Sequence, residues 1–221
     1  MLSPLQHRVA RIVAALREAE RFALAGGAAL VLARVVDRET RDLDFFGPSA
    51  DEVDHLADAV ETALTEAGLN VQRERISHGF ARLTVTDGRT VTEVDLGADA
   101  RIRPTEPGPY GPTLSLEELA ADKLLALFDR AQARDFIDVD ALASRFGLER
   151  LCELAAEKDH GFSRAALSEA LGTFRRFSAR DLGIDEHGRQ RLAAAVQGWR
   201  QTLSDLRPQR RTRGPDTGRS L

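Results

Sequence analysis

The N-terminal part of the chain alternates between two hydrophobic patterns, one repeating every three to four residues and one repeating every two. The longer repeat predicts amphipathic helices, and the shorter one predicts strands with one buried face. Asp87-Gly88, between two strand-like segments, is typical of a tight hairpin turn. The predicted elements are helix 4–20, strand 22–24, helix 28–36, strand 41–46, helix 50–67 and strands 70–76, 79–86 and 90–96. We therefore expect an α/β unit with a mixed or antiparallel sheet.

A proline-rich segment, residues 97–113, interrupts these patterns and predicts a loop between two domains. After it, Ser115 and Glu118 have the spacing of a capping box that opens a helix. Only helical periodicity follows, which predicts helices 115–131, 134–145, 147–158, 163–175 and 185–206. The expected fold class is thus α+β, with an α/β domain at 1–105, an all-helical domain at 113–206 and a disordered basic tail at 207–221.

Composition narrows the class of protein but does not reveal its chemistry. The chain has 221 residues, of which 43% are hydrophobic and 30% charged, as in an ordinary soluble globular protein. Cys152 is the single cysteine, so an internal disulfide is excluded and a cytoplasmic location is expected. The sequence has neither a signal peptide pattern nor an apolar run of membrane-spanning length. The net charge of −4 argues against a protein that coats nucleic acid without selectivity.

The first candidate for chemistry is the segment Arg41-Asp-Leu-Asp-Phe-Phe46. Alternation along a strand places Asp42 and Asp44 on one face, about 7 Å apart. Two facing carboxylates are hard oxygen ligands, which suit Mg²⁺ or Mn²⁺ shared with substrate phosphates. Taken alone, Asp-x-Asp is a weak pattern, and a solvated strand face paired with Arg38 or Arg41 is the more common explanation.

Neighbouring residues strengthen the metal interpretation. Gly26 and Gly27 stand between a strand and a helix, where free backbone N–H groups and the helix dipole favour a phosphate. Asp95 lies on a strand whose Val94 and Leu96 point the other way, so an adjacent strand could bring it beside Asp42 and Asp44. The three carboxylates would then form a metal site with a base for an attacking hydroxyl.

The helical part offers a cation and further carboxylates. Lys123 falls on the apolar stripe of helix 115–131, where its stem either follows the surface or carries the ammonium group toward phosphates. Arg130, Arg134, Asp135 and Asp138 follow at helical steps, and surface ion pairs are the alternative explanation for them.

Four segments together resemble one family. Gly26-Gly27-Ala-Ala-Leu, Arg41-Asp-Leu-Asp44-Phe-Phe, Ala121-Asp-Lys123-Leu-Leu-Ala and Arg134-Asp-Phe-Ile-Asp138 are similar, in order and approximate spacing, to the AbiEii/AbiGii-type nucleotidyltransferase toxins, which include the MenT toxins. The resemblance covers roughly residues 20–145. The family's glycine motif often carries a hydroxyl residue after the glycines, whereas this chain has Ala28 and Ala29, which leaves phosphate binding there to backbone groups.

The resemblance implies a fold similar to the nucleotidyltransferases of the DNA polymerase β type. It implies Asp42 and Asp44 as metal ligands for Mg²⁺ or Mn²⁺, Lys123 as a phosphate contact and Asp135 as the acidic residue from the helical part. With Gly26, Gly27 and Arg41 as further nucleotide-binding residues, Asp95 as a third metal ligand and Asp138 as a weaker candidate, these residues form the expected site.

The expected function is that of a toxin with a cognate antitoxin, which transfers NMP from an NTP to the 3′ acceptor end of tRNA and blocks translation. Basic side chains at positions 38, 41, 130 and 134 would receive the RNA backbone. Two alternatives stay open at this point. The same site could modify a protein hydroxyl on the toxin itself or on its antitoxin, or the chain could be a degenerate scaffold that only binds a partner.

Overall fold

The structure, a computed structural model, describes residues 1–205, except for the side chains of residues 75, 76 and 205. The predicted basic tail at 207–221 lies outside these residues. The helices are α1 (Pro4–Ala14), α2 (Gly26–Leu32), α3 (Ala50–Glu66), α4 (Leu116–Asp129), α5 (Ala133–Phe146), α6 (Leu148–Lys158), α7 (Arg164–Leu171), α8 (Ala179–Leu182) and α9 (Glu186–Asp205). The strands are β1 (Ala23–Ala25), β2 (Asp42–Gly47), β3 (Asn70–Ser77), β4 (Phe80–Thr86), β5 (Val91–Ala98), β6 (Thr105–Gly108) and β7 (Gly111–Leu114).

The seven strands form one mixed sheet in the order β3-β4-β5-β2-β1-β7-β6. The β2–β5 and β1–β7 pairs are parallel, and the other neighbouring pairs are antiparallel. The predicted mixed α/β architecture is therefore confirmed. Alternation also determines the buried face of β2, where Leu43 is fully buried and Phe45 is 2% exposed.

The segment 97–113 differs from the predicted loop, because it contains the hairpin β6–β7. Pro107 and Pro112 lie opposite each other in this hairpin, and β6 is the edge strand of the sheet. Pro107 is tolerated in the edge strand because its missing N–H is not needed there, and Pro112 precedes the residue at which β7 pairs with β1. Since the two strands lack a hydrophobic alternation, the sequence pattern did not indicate them. The hairpin joins the sheet through Thr113, which pairs with Leu24 of β1.

Helix starts follow local capping chemistry. Ser49 and Ser115 each accept a hydrogen bond from the backbone N–H three residues later, which satisfies a free donor at the start of α3 and of α4. The predicted capping box at Ser115 is only half formed, because the Glu118 side chain turns away from it. One Glu118 oxygen instead accepts from the backbone N–H groups of Ile102 and Arg103, at 3.0 and 2.8 Å. Glu118 thereby attaches the segment before β6 to α4.

The sheet and the helices share one hydrophobic core. Leu24 and Leu43 of the sheet belong to the same buried cluster as Leu124 of α4 and Leu142 of α5. α4 packs against α2, α5, α6 and α7, which places it next to the glycine pair that begins α2. The polar face of β2 and β5 meets α4 and the start of α5 across a cleft.

Candidate active site

Strand register brings the three sheet carboxylates together. β2 and β5 run parallel with Asp44 directly beside Asp95, while Asp42 lies two residues earlier on the same face as Asp44. All three side chains line a cleft of about 200 Å³. The remaining lining residues come from β2 and β4, from the segment between α2 and β2, and from α2, α4, α5 and the α4–α5 turn. They are Gly26, Gly27, Arg38, Phe46, Arg82, Leu119, Asp122, Lys123, Ala126, Arg130 and Arg134.

Asp44 packs directly on Gly26, which explains why a glycine is needed there. A Cβ at Gly26 would lie 1.8 Å from Asp44 Oδ2, and the residue has a φ of +59°, in the left-handed region. At Gly27 a Cβ would lie 2.8 Å from Thr40 Oγ1 and 3.0 Å from Arg38 Nη2. Both glycines line the cleft, and the absence of a side chain at Gly26 allows the carboxylate of Asp44 to approach the backbone.

Asp44 is the carboxylate without a partner. Among residues 1–205 the Asp44 side chain has no hydrogen bond and no ion pair, although it is partly buried. Burial raises the pKa of Asp44 to about 7, and the negative charges of Asp42 and Asp95 act in the same direction. A charged group in such surroundings is unfavourable unless a cation is added.

Asp42 and Asp95, by contrast, are each held by an arginine. Asp42 Oδ2 lies 3.1 Å from Arg134 Nη1, and its Oδ1 accepts from Thr40 Oγ1 at 2.9 Å. Burial acts to raise the pKa of Asp42, but the Thr40 hydrogen bond and the charges of Arg134 and Lys123 outweigh it and lower that pKa. Asp95 accepts two hydrogen bonds from Arg82, at 2.7 Å to Nε and 2.5 Å to Nη2.

Lys123 reaches the cleft as a buried cation, as its place on the apolar stripe predicted. Its Nζ lies 2.9 Å from Asp138 Oδ2, and the residue is 7% exposed. Asp138 also accepts from Arg38 Nε and Nη2, at 2.8 Å each. One fully buried carboxylate thus positions two cations that line the cleft.

Asp135 does not face the cleft. It is fully buried at the third position of α5, where its side chain accepts from the backbone N–H of Gln132 and completes a capping box. Arg130, which does line the cleft, donates to both oxygens of Asp135 at 3.0 Å. Arg41 is exposed and is not among the lining residues. Of the predicted site residues, Asp135, Arg41 and the weaker candidate Asp138 are the ones that the structure leaves outside the cleft lining.

One known protein family matches most of the chain. A family model described as nucleotidyl transferase AbiEii toxin of a type IV toxin–antitoxin system matches residues 9–217. The chain belongs to the AbiEii toxin family. It is therefore a nucleotidyltransferase toxin, as the four sequence segments indicated, and AbiEii membership implies an antitoxin partner and a nucleoside triphosphate substrate.

Solved structures share the AbiEii fold at low sequence identity. JHP933 from Helicobacter pylori is similar with a TM-score of 0.57 and 19% identity, over 93% of this chain and 96% of that one. A second H. pylori protein, whose proposed activity is that of a nucleotidyltransferase, has a TM-score of 0.56 and 18% identity, over 92% of this chain and 95% of that one. No curated protein matches the chain.

Arg82 is a site residue of this AbiEii chain that sequence reasoning missed. It lies opposite Asp95 in the antiparallel β4–β5 pair, in the hairpin that turns at Asp87-Gly88. The connection between the two strands spans residues 87–90, and pairing outward from it places Arg82 beside Asp95. A two-residue turn at Asp87-Gly88 would have placed Arg82 opposite Glu93, so the turn signal alone did not give this register. Thr40, the hydrogen-bond donor to Asp42, had no comparable signal because it lies in an irregular segment.

The cleft fits the divalent ion that the AbiEii resemblance implies. The unpartnered carboxylate of Asp44 lies between two further carboxylates, and oxygen donors of this kind suit Mg²⁺ or Mn²⁺. A tighter acidic cluster lies nearby, where Asp99, Glu118 and Asp122 each have an oxygen within 4.8 Å of the others. Lys158 donates to all three, at 2.7 Å to Asp99 and Glu118, so this second cluster already holds its cation.

The cluster around Lys158 also borders the cleft through Asp122. Burial raises the pKa of Asp122 to about 6, against the lowering effect of Lys158. The neighbouring negative charges of Asp99 and Glu118 contribute to the increase.

In the described part of the chain, no helix is long and apolar enough to cross a membrane.

Proposed function

We propose that the protein transfers a nucleoside monophosphate from an NTP to the 3′ acceptor end of tRNA in the cytoplasm, in a reaction that depends on Mg²⁺. The observation that carries the proposal is the unpartnered carboxylate of Asp44, placed between Asp42 and Asp95 in a cleft that also exposes basic side chains. A metal ion and a triphosphate have opposite charges, and this cleft has a complement for each.

In this proposal Asp42, Asp44 and Asp95 would hold Mg²⁺, which would supply charge neutralisation at the phosphates of the NTP. Lys123 and Arg38 bind the triphosphate, since Asp138 fixes both side chains from behind. A carboxylate of the sheet accepts the proton of the attacking hydroxyl. The hydroxyl oxygen bonds to the α-phosphorus, the α–β bridging bond breaks, and pyrophosphate leaves.

The choice of tRNA as acceptor rests on the family resemblance together with the charge of the cleft. Arg130 lines the cleft and keeps 43% of its side chain exposed, and Arg41, next to Asp42 in the chain, is exposed as well, so a large polyanion can reach both. Contacts from arginine to phosphate do not depend on base sequence, which suits an acceptor end that all tRNAs share. Blocked acceptor ends would stop translation.

The test is a transfer assay with the full chain. Purified protein is incubated with each labelled NTP, Mg²⁺ and total tRNA, and with Asp44→Asn as the matched inactive variant. The expected result is label at the tRNA 3′ end that requires Asp44 and is lost when EDTA is added. Absence of label with every NTP would overturn the proposal. Label on the protein instead of RNA would replace tRNA by a protein hydroxyl as the acceptor.

A second experiment addresses the cellular role. Expression of the wild-type chain is expected to arrest growth and protein synthesis, and co-expression of the cognate antitoxin is expected to relieve the arrest. Asp44→Asn at equal protein level should permit growth. Arrest that persists in Asp44→Asn would show that toxicity does not depend on this cleft.

A further inference from the structure

Five cations line the cleft, and they differ in the carboxylates that hold them. Two pair with carboxylates that line the cleft themselves, and three pair with carboxylates that do not. The five are Arg38, Arg82, Lys123, Arg130 and Arg134.

Three of the cations pair with carboxylates that lie outside the cleft lining. Lys123 and Arg38 share Asp138, and Arg130 pairs with Asp135. Both aspartates are fully buried and neither lines the cleft, so a solute that enters the cleft cannot compete for them. Removing a cation from such a buried carboxylate is strongly unfavourable. These three cations therefore keep their partners whether the cleft is empty or filled.

The other two cations have different partners. Arg82 pairs with Asp95 and Arg134 with Asp42, the two carboxylates on either side of Asp44. More than a third of each arginine side chain is exposed, at 36% for Arg82 and 39% for Arg134. Their carboxylate partners are largely buried, with 9% of the Asp95 side chain and 13% of the Asp42 side chain exposed, so each pair breaks at low cost only when another cation takes the place of the arginine.

Both oxygens of each carboxylate are already engaged. Arg82 donates to Oδ1 and Oδ2 of Asp95, while Asp42 accepts from Arg134 at one oxygen and from Thr40 at the other. A divalent ion that takes these carboxylates as ligands competes with the two guanidinium groups for the same oxygens and repels their positive charge, so it favours their displacement. Such a displacement leaves two positive charges free in the cleft at the moment when a triphosphate needs them.

We propose that Arg82 and Arg134 are exchangeable counter-ions that occupy the carboxylates of the metal site before metal and NTP bind, and then turn to the triphosphate. This inference rests on the proposed function. It makes each arginine a competitor of the metal ion and a ligand of the nucleotide. The binding of metal and of nucleotide is then coupled, because the metal releases the groups that the nucleotide requires.

The exchange predicts that removing either arginine has opposite effects on the two ligands. Arg82→Gln and Arg134→Gln should bind Mn²⁺ more tightly than the wild type when nucleotide is absent, by about fivefold, since one competing ion pair is gone. The same variants should bind NTP more weakly by about tenfold when Mn²⁺ is present and RNA is absent, since a charge-assisted contact to phosphate is lost.

The experiment measures Mn²⁺ binding by the full chain with calorimetry or electron paramagnetic resonance, followed by NTP binding at saturating Mn²⁺. Arg89→Gln is the matched control, because Arg89 is an exposed arginine in the turn of the same β4–β5 hairpin and makes the same change in net charge. It should leave both affinities unchanged. Circular dichroism and a melting curve verify that each variant is folded.

The outcomes separate this inference from the proposed function. Tighter Mn²⁺ and weaker NTP binding in both variants, with Arg89→Gln unchanged, supports the exchange. Unchanged or weaker Mn²⁺ binding in folded Arg82→Gln and Arg134→Gln overturns it while leaving the transfer reaction in place. If the wild type binds no Mn²⁺ and transfers no nucleotide, the proposed function and the exchange both fall. Arg82→Lys, which keeps the charge and loses the two-pronged contact, should lie between wild type and Arg82→Gln.

Discussion

Asp135 and Asp138 of α5 are fully buried and hold cations that line the cleft, whereas Asp42, Asp44 and Asp95 of the sheet line the cleft themselves. The buried pair is matched by Arg130, Arg38 and Lys123. Of the sheet carboxylates, Asp95 pairs with Arg82 and Asp42 pairs with Arg134, and both arginines are partly exposed. Asp44 has no partner among the described residues.

The α5 carboxylates therefore stabilise the fold, whereas the sheet carboxylates are available for function. A buried carboxylate with cationic partners fixes those partners in place, and its removal damages the folded state. A carboxylate left without a cation costs the folded state free energy, and such a cost is tolerated at a site that receives a cation from solution. The two regions should therefore respond in opposite ways to the same substitution of aspartate by asparagine.

The largest effect is expected for Asp44→Asn. The nucleotidyl transfer rate should fall by about 10⁴-fold, because a lost metal ligand removes several kcal/mol of transition-state stabilisation. The labelled-NTP assay measures it. Asp129→Asn, at the exposed end of α4, is the control and should retain the wild-type rate. A rate for Asp44→Asn within tenfold of wild type would contradict the role of Asp44 as a metal ligand needed for transfer.

Asp138→Asn should act on the fold instead. The free energy of unfolding is expected to fall by about 3–5 kcal/mol, because Lys123 and Arg38 lose the carboxylate that compensates them. Urea denaturation followed by circular dichroism measures the change. Asp140→Asn, two residues along α5 and without a cleft cation, should leave stability nearly unchanged. Equal free energies of unfolding for Asp138→Asn and wild type would show that the ion pairs of Asp138 do not stabilise the fold.

Asp135→Asn distinguishes the sequence prediction from the observed geometry. The structure predicts a loss of about 1–3 kcal/mol in the free energy of unfolding, since the cap and the pair with Arg130 weaken. The transfer rate should fall by about tenfold or less, through Arg130. A rate loss of about 10³-fold with unchanged stability would instead make Asp135 a catalytic residue.

The smallest effect concerns pH. The pKa of Asp44 is raised from 3.8 to about 7, so near pH 4 its carboxyl is largely protonated in the folded chain. As the pH rises from about 4 to 7, the unfolded chain releases a proton that the folded chain retains, and wild-type stability decreases. Above pH 7 the loss is complete. Asp44→Asn lacks this loss.

The melting temperature without divalent ions measures the difference between Asp44→Asn and wild type. The full pKa shift corresponds to about 4 kcal/mol, and solvent at the partly exposed carboxyl reduces this to about 1 kcal/mol. The difference should be near zero at pH 4, grow to about 2–4 °C in favour of the variant at pH 7, and stay constant above. A difference that is independent of pH would mean that burial does not perturb this carboxyl.

The sequence predicted the sheet side of the site well because strand alternation has a fixed period. Asp42 and Asp44 had to share a face, and the buried Val94 and Leu96 placed Asp95 on the opposite side of its strand. The stripe of α4 likewise predicted Lys123. That Arg134 of α5 lines the cleft, and Asp135 and Asp138 do not, was beyond the pattern, because helical periodicity places the two aspartates on one buried face without showing what that face packs against.

The partners of these aspartates depend on how α4 and α5 pack, and helical periodicity does not contain that information. The turn at Arg130 and Ala131 brings the guanidinium of Arg130 onto Asp135. The hairpin β6–β7 was not predicted, for a different reason. Its strands are short, proline-containing and without alternation, so their strand pairing depends on the rest of the sheet. The domain limits at 1–105 and 113–206 stay a prediction.

The order of the cleft residues along the chain has a consequence for how the toxin is made. Both glycines and all three sheet carboxylates lie before residue 100, whereas Lys123, Arg130, Arg134 and Asp138 come later. A polypeptide released early by a stalled ribosome therefore carries the metal-binding half of the cleft without the lysine and the α5 carboxylates. Truncated products that end before α4 should be harmless, so a cell that interrupts synthesis of this protein before α4 acquires no active toxin.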